Sequence, residues 1–144
     1  MRLIANTEFG GERPLFASHD LHIDNVTIRK GESAIKECSN IVATNCRFEG
    51  NYPFWHIHGF TIKDCYFAVG GRSALWYSDH LKMQDTVIDA PKMFREMHDI
   101  EIENVEMNDA DEVFWRCERI NVKNLKLHGG TYPFMFSTIY RSEE

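Results

Sequence analysis

Residues 21–28 read LHIDNVTI, and the same pattern returns at residues 100–107 as IEIENVEM. In both stretches apolar and polar residues alternate on either side of a central Asn, which is typical of β-strands with one buried face. The central Asn or Asp recurs every 19 to 21 residues along the chain, at Asn6, Asn25, Asn45, Asp64, Asp85, Asn104 and Asn124. A repeat of this length predicts an array of stacked units.

A third apolar segment follows in each repeat, after a turn that carries Gly or Pro. Phe54–Ile57 follows Gly50, for example, and Leu75–Ser78 follows Gly70-Gly71. Three short strands per repeat predict an all-β, single-stranded parallel β-helix (a solenoid) of about seven coils, formed by residues 1–144 as a single domain. Leucine-rich and helical repeats fit less well, because the L-x-x-L-x-L consensus and a 3.6-residue periodicity are absent.

The column of Asn and Asp residues is predicted to form a structural ladder. Asn and Asp tolerate the left-handed backbone that a corner requires. Strands pair about 4.8 Å apart, and at that distance stacked Asn side chains can hydrogen-bond to one another. We expect the ladder amides to be buried, and we expect at least one of the neighbouring carboxylates Asp64 and Asp85 to be solvated or protonated.

The bulk composition excludes several classes of protein. The chain has a net charge of −6 and no basic stripe, so no nucleic-acid partner is expected. No apolar run reaches the roughly 20 residues of a membrane helix, and no secretory signal is evident, so no membrane partner is expected either. We predict a cytoplasmic protein with buried free thiols, because its cysteines are sparse and unclustered: Cys38, Cys46, Cys65 and Cys117.

The third segment of each coil places two residues outward, and these pairs form a column rich in aromatic and charged residues. Such a surface favours stacking on sugar rings or an interface with another protein. The rings could equally stack on one another and only stabilise the sheet. The candidate ligand-binding residues are Trp55, His56, Trp76, Tyr77, Arg95, Glu96, Trp115 and Arg116.

The sequence offers little support for catalysis. Glu37 and Glu96 lie three coils apart on this face, about 14 Å at ~4.8 Å per coil, which is too far for glycoside hydrolysis. Asp79 and Asp99 occupy adjacent coils and form the best carboxylate pair. The histidines of one corner column, His19, His58 and His98, fall on alternate coils, too far apart to share one metal ion. We predict no catalytic residue, no cofactor and no metal.

Several segments, in colinear order from about Glu8 to Gly129, resemble a bacterial family catalogued as domain-of-unknown-function family 3737. They are FGGERPLFAS at 9–18, GES at 31–33, YPFW at 52–55, RSALWY at 72–77, APKMFR at 90–95 and EVFW at 112–115. The resemblance implies a right-handed, pectin-lyase-like β-helix, and no catalytic residues are established for the family.

The resemblance also implies a β-helix about twice the length of this chain, so the C-terminus looks truncated. We expect residues 1–18 to form the first coil, and residues 131–144 to form a divergent C-terminal coil or cap, in which Ile139 begins an eighth coil. An open last coil exposes unpaired backbone and favours a homo-oligomer formed through that end.

The predicted function is a non-catalytic binding or scaffold protein that uses the aromatic and charged face, with carbohydrate as the favoured ligand. Two alternatives stay open. One is a carbohydrate-active lyase or hydrolase, which only analogy of fold suggests. The other is a structural, self-associating rod.

Overall fold

The computed structural model describes residues 1–130 and 139–141, which form a parallel β-solenoid of about six complete turns. A single 3-10 turn spans Val69–Gly71, and no helix in the described ranges is long and apolar enough to cross a membrane. The strands are β1 (Arg2–Glu12), β2 (His19–Glu32), β3 (Ser39–Thr44), β4 (Arg47–Phe48), β5 (His58–Lys63), β6 (Tyr66–Phe67), β7 (Asp79–Ile88), β8 (His98–Met107), β9 (Glu118–Leu127) and β10 (Ile139–Arg141).

Each strand pairs in parallel with the strand of the next coil, which confirms the predicted β-helix. In the first coil Ile4 lies opposite Ile23, and Phe9 lies opposite Ile28, as the repeat predicts. At the other end β10 pairs with β9 from Ile139 onward. The rest of the predicted C-terminal coil, residues 131–138 and 142–144, lies outside the described residues.

The first coil carries polar residues at inward-facing positions. Arg2 lies opposite Leu21, and Thr7 lies opposite Val26, although both partners belong to the buried core. A charge at an inward position discourages another strand from adding to a sheet edge. Arg2 therefore makes the pairing of a further strand with the outer edge of β1 less favourable.

The third side of each coil is not an extended strand, although three strands per coil were expected. In one coil φ is 59° at Tyr52, 60° at Phe54 and 55° at His56. The segment still bonds to both neighbouring coils: the Phe54 N–H donates to the Ala34 carbonyl (3.0 Å), and the His56 N–H donates to that of Trp76 (3.1 Å). An extended strand would put two successive residues on opposite faces, whereas this backbone keeps both Trp55 and His56 outside the core.

The core is a continuous stack of apolar side chains inside the coils. Equivalent positions in successive coils touch directly, as in the stacked pair Phe94 and Phe114, whose ring centroids are 4.5 Å apart. The four cysteines are free and buried, as predicted. Burial raises the pKa of the Cys117 thiol to about 12, so this group behaves as a small apolar side chain.

The Asn/Asp ladder occupies a corner with left-handed backbone, as predicted, and φ at its seven members runs from 49° to 58°. The amide of Asn25 donates to Asn6 (2.8 Å), and that of Asn124 donates to Asn104 (2.6 Å). The amide of Asn45 leaves the column and donates to Asp24 (3.1 Å). The hydrogen-bonded ladder is thus interrupted in the middle of the solenoid.

The ladder is exposed to solvent, so the expectation of buried amides is wrong. Each ladder residue lies between two inward-facing positions, and its left-handed backbone turns its own side chain out at the corner. The neighbouring carboxylates Asp64 and Asp85 are both exposed, which agrees with the prediction that at least one is solvated.

Replacing Asp64 by Asn is expected to stabilise the protein by about 0.5–1 kcal/mol. The change removes a like charge beside Asp85 and supplies an amide that can hydrogen-bond within the column. Asn tolerates the left-handed backbone as well as Asp does. The urea midpoint at neutral pH should rise for D64N and fall for D64A, which also removes the charge but supplies no amide and does not favour the left-handed backbone (φ 54°). A midpoint for D64N below that of the wild type would contradict the ladder's stabilising role.

Candidate functional site

A groove of about 340 Å³ runs along the third side of the solenoid and crosses four successive coils. Each coil contributes two lining residues, three positions apart in sequence. The coils stack in register, so these residues form two parallel columns. This surface, called the aromatic groove below, is lined by Tyr52, Trp55, Ser73, Trp76, Lys92, Arg95, Glu112 and Trp115.

Four of the predicted ligand-binding residues form a continuous stack in this groove. The indole rings of Trp55 and Trp76 are nearly parallel, with an angle of 14° and centroids 5.0 Å apart. The Arg95 guanidinium carbon lies 4.8 Å from the Trp76 ring and 5.7 Å from the Trp115 ring. The spacing of coils, about 4.8 Å, falls within the preferred range for aromatic pairs, so residues of one column stack directly.

Hydrogen bonds to the backbone hold the indoles in place. The Trp55 Nε1–H donates to the Ser73 carbonyl (2.6 Å), and the Trp76 Nε1–H donates to the Lys92 carbonyl (2.8 Å). The Lys36 ammonium lies 5.6 Å from the Trp55 ring and extends the stack by one coil. The mutual stacking that the sequence left open is therefore present, and neighbouring side chains cover the faces of Trp55 and Trp76.

The other four predicted residues lie in an exposed column beside the aromatic groove and do not line it. The two columns touch at Tyr77, whose ring packs edge-on to Trp55 and Trp76 with centroids 5.6 Å and 6.0 Å away. In this column the His56 and Tyr77 rings stack with centroids 5.3 Å apart. Glu96 and Arg116 continue the column on the next two coils and are exposed. The structure therefore separates each outward pair into one groove residue and one flanking residue.

Four groove residues were not predicted from the sequence: Tyr52, Ser73, Lys92 and Glu112. They share left-handed backbone, with φ from 50° to 60°. The Lys92 ammonium lies 3.8 Å from the Glu112 carboxylate, and the Tyr52 ring packs edge-on to Trp55 with centroids 5.4 Å apart. The sequence contained a signal for these four residues. Each lies three positions before a residue of the stacked column, so the repeat places all four in one column of their own.

The best carboxylate pair predicted from the sequence lies at another corner and is bridged by basic side chains. The His80 Nδ1 lies 3.3 Å from Asp79 and 3.8 Å from Asp99, and His58 lies 3.0 Å from Asp79. The Arg119 guanidinium hydrogen-bonds to Asp99 and holds the pKa of that carboxyl below its usual range. A general acid near neutral pH needs a raised pKa, so Asp99 is unsuited to that role.

No group of three or more His, Cys, Asp or Glu side chains within residues 1–130 and 139–141 has the geometry to hold a metal ion. The exposed corner histidines are instead engaged with single carboxylates. One example is the pair of His98 and Glu118, at 3.6 Å.

The model of a protein family described as "Protein of unknown function (DUF3737)" matches residues 2–143 of the chain. The match confirms the resemblance that the repeated segments indicate. No curated protein and no solved structure is similar enough to count as a match.

Proposed function

Because the chain belongs to the DUF3737 family of proteins of unknown function, we propose its role from the aromatic groove. In this proposal the protein is a non-catalytic binding solenoid that holds a segment of a glycan along the groove. The observation that carries the proposal is a groove of about 340 Å³ that crosses four coils beside a locked stack of aromatic residues. Solenoids commonly bind extended ligands along surfaces built from their repeats.

The lining of the groove suits a ligand with both apolar and hydroxyl-bearing parts. The ring edges of the tryptophans supply apolar contact, while Tyr52, Lys92 and Glu112 offer polar groups beside them. The backbone hydrogen bonds to Trp55 and Trp76 hold the wall in its binding conformation before a ligand arrives. A preorganised wall lowers the entropy cost of binding.

The non-catalytic part of the proposal is supported by the charges in the groove. Glu112 is the one carboxylate among the described lining residues, and Lys92 neutralises it at 3.8 Å. Glycoside hydrolysis commonly uses two carboxyl groups on opposite sides of the scissile bond. Self-association through the C-terminal coil stays a prediction, because residues 131–138 lie outside those that the structure describes.

Soluble oligosaccharides that bind the groove are expected to give a saturable change in tryptophan fluorescence, because all three tryptophans line it. Tyr52→Ala should weaken binding roughly two- to tenfold, the effect of an aromatic contact of about 0.5–1.5 kcal/mol. Tyr66→Ala is the matched control, since Tyr66 is a partly buried tyrosine like Tyr52 but lies on β6, outside the groove lining.

Isothermal titration calorimetry with the same oligosaccharides checks that the fluorescence change reports binding. Two results would contradict the proposal. One is the absence of binding at millimolar concentrations for every oligosaccharide in a chemically diverse panel. The other is an equal loss of affinity in the two tyrosine variants, which would show that the loss does not come from a contact in the groove.

A further inference from the structure

The environment of Arg95 indicates which chemical group the ligand carries, whereas the shape of the groove does not. We infer that Arg95 binds a carboxylate group of the ligand, so that the glycan held in the aromatic groove is an acidic one. This inference rests on the proposed function, and its test is designed so that each can fail separately.

The Arg95 guanidinium lies between the indole rings of two tryptophans. Its central carbon lies 4.8 Å from the Trp76 ring and 5.7 Å from the Trp115 ring. Backbone bridges from Arg95 to the same two residues fix its place in the column. Guanidinium N–H groups lie in the plane of the group. Arg95 lies over both rings and also lines the groove, so its N–H donors are within reach of a ligand there.

Within the part of the chain that the structure describes, Arg95 also lacks a counter-charge, unlike the cations Lys92 and Arg47. The other groove cation, Lys92, is paired with Glu112 at 3.8 Å. Arg47 is likewise stacked on a ring, that of Tyr66, but pairs with Glu49 at 2.6 Å. Among the residues that the structure describes, no carboxylate lies within ion-pairing distance of Arg95, which is half-buried. A partly desolvated cation with its hydrogen-bond donors unused favours an anionic partner.

A carboxylate matches the donors of Arg95 in shape as well as in charge. Its two oxygens accept two parallel N–H bonds from one guanidinium edge, an arrangement stronger and more directional than a bond to a neutral hydroxyl. The chain as a whole carries a net charge of −6. Selection of an acidic ligand therefore depends on the local contact with Arg95 and gains nothing from the overall field of the protein.

The test compares two oligosaccharides of equal length by calorimetry, one containing glucuronic acid (a hyaluronan hexasaccharide) and one neutral (cellohexaose). The wild type should bind the acidic sugar at least about tenfold more tightly, the effect expected of charge-assisted hydrogen bonds. Arg95→Met should remove this preference, because it weakens binding of the acidic sugar more than binding of the neutral one. Arg95→Lys should keep part of it, because an ammonium retains the charge but not the planar fork.

Arg13→Met is the matched control, since Arg13 also lies over an aromatic ring, that of Phe16, but outside the groove. It should leave the affinity for both sugars unchanged. Circular dichroism and thermal melting establish that each variant is folded. Equal wild-type affinities for the two sugars, or an acidic preference that survives in Arg95→Met, would overturn the inference while the proposed function stands.

If neither sugar binds, small anions decide the inference about Arg95 separately, while the proposed function falls only if every other oligosaccharide of the panel also fails to bind. Tryptophan fluorescence is then titrated with acetate, inorganic phosphate and sulfate at constant ionic strength. A saturable response to acetate that disappears in Arg95→Met would support a carboxylate site. A response to phosphate or sulfate alone, or no response to any of the three, would overturn it.

Discussion

Replacing Phe54 by Ala is expected to lower the free energy of unfolding by about 3–5 kcal/mol. Phe54 is 0% exposed and joins two coils of the solenoid. Its ring centroid lies 4.9 Å from that of Phe48 in its own coil, and 5.8 Å and 6.2 Å from those of Phe60 and Phe67 in the next. Removing the ring leaves a cavity between coils whose backbones are held by hydrogen bonds and cannot collapse into it.

Equilibrium unfolding in urea, followed by circular dichroism, measures this effect. Phe16→Ala is a suitable control, because Phe16 lies on the same side of the first coil and is 44% exposed. Its loss should change stability by about 0.5 kcal/mol or less. A destabilisation below about 1 kcal/mol for Phe54→Ala would contradict the packing described, because even one buried methylene contributes about that much.

Replacing Gly31 by Ala is expected to separate the first coil from the rest of the solenoid. A Cβ atom at Gly31 would lie 2.0 Å from the carbonyl oxygen and 2.9 Å from the carbonyl carbon of Gly11. Both contacts are to backbone, so no side-chain rotation relieves them, and overpacking of this kind costs about 1–3 kcal/mol. Since β1 pairs only with β2 in the described structure, the least costly response is a local opening of β1.

Amide hydrogen exchange locates this damage. Amides of β1 should lose protection in Gly31→Ala, whereas those of β7, near the middle of the solenoid, should keep it. Gly10→Ala is the control. Gly10 precedes Gly11 in the first coil, and a Cβ there meets nothing closer than the Arg29 Cβ at 3.6 Å. Protection of β1 in Gly31→Ala equal to that of the wild type would show that the two turns do not approach as closely as described.

The periodicity of the sequence was enough to predict which residues share a column. In a parallel, in-register stack the position of a residue within the repeat is also its position in space. For this reason the core columns, the first coil and the pairing at Ile139 could be predicted without a structure. The stacked members of the aromatic groove could be predicted for the same reason, because Trp55, Trp76 and Trp115 occupy one repeat position.

The backbone of the third side could not be predicted in the same way. Bulky residues such as Ile35 and Phe54 rarely adopt left-handed backbone, yet φ is 53° and 60° at these two positions. Their burial in the core offsets the local strain, and that burial exists only once neighbouring coils are in place. The β-propensity of these apolar segments therefore predicted a third strand, whereas the packing of successive coils imposes left-handed backbone at alternate residues.

The sequence by itself determined the solenoid, its register and the identity of the columns, because those follow from a repeated alternation of apolar and polar residues. Only the tertiary structure decided how neighbouring columns meet. It covered the faces of Trp55 and Trp76, exposed the ladder, and brought Tyr52, Lys92 and Glu112 beside the stack. It also placed Arg95 between two rings, with no counter-charge among the described residues. These contacts depend on side-chain rotamers and on distances between columns, which a pattern along the chain does not contain.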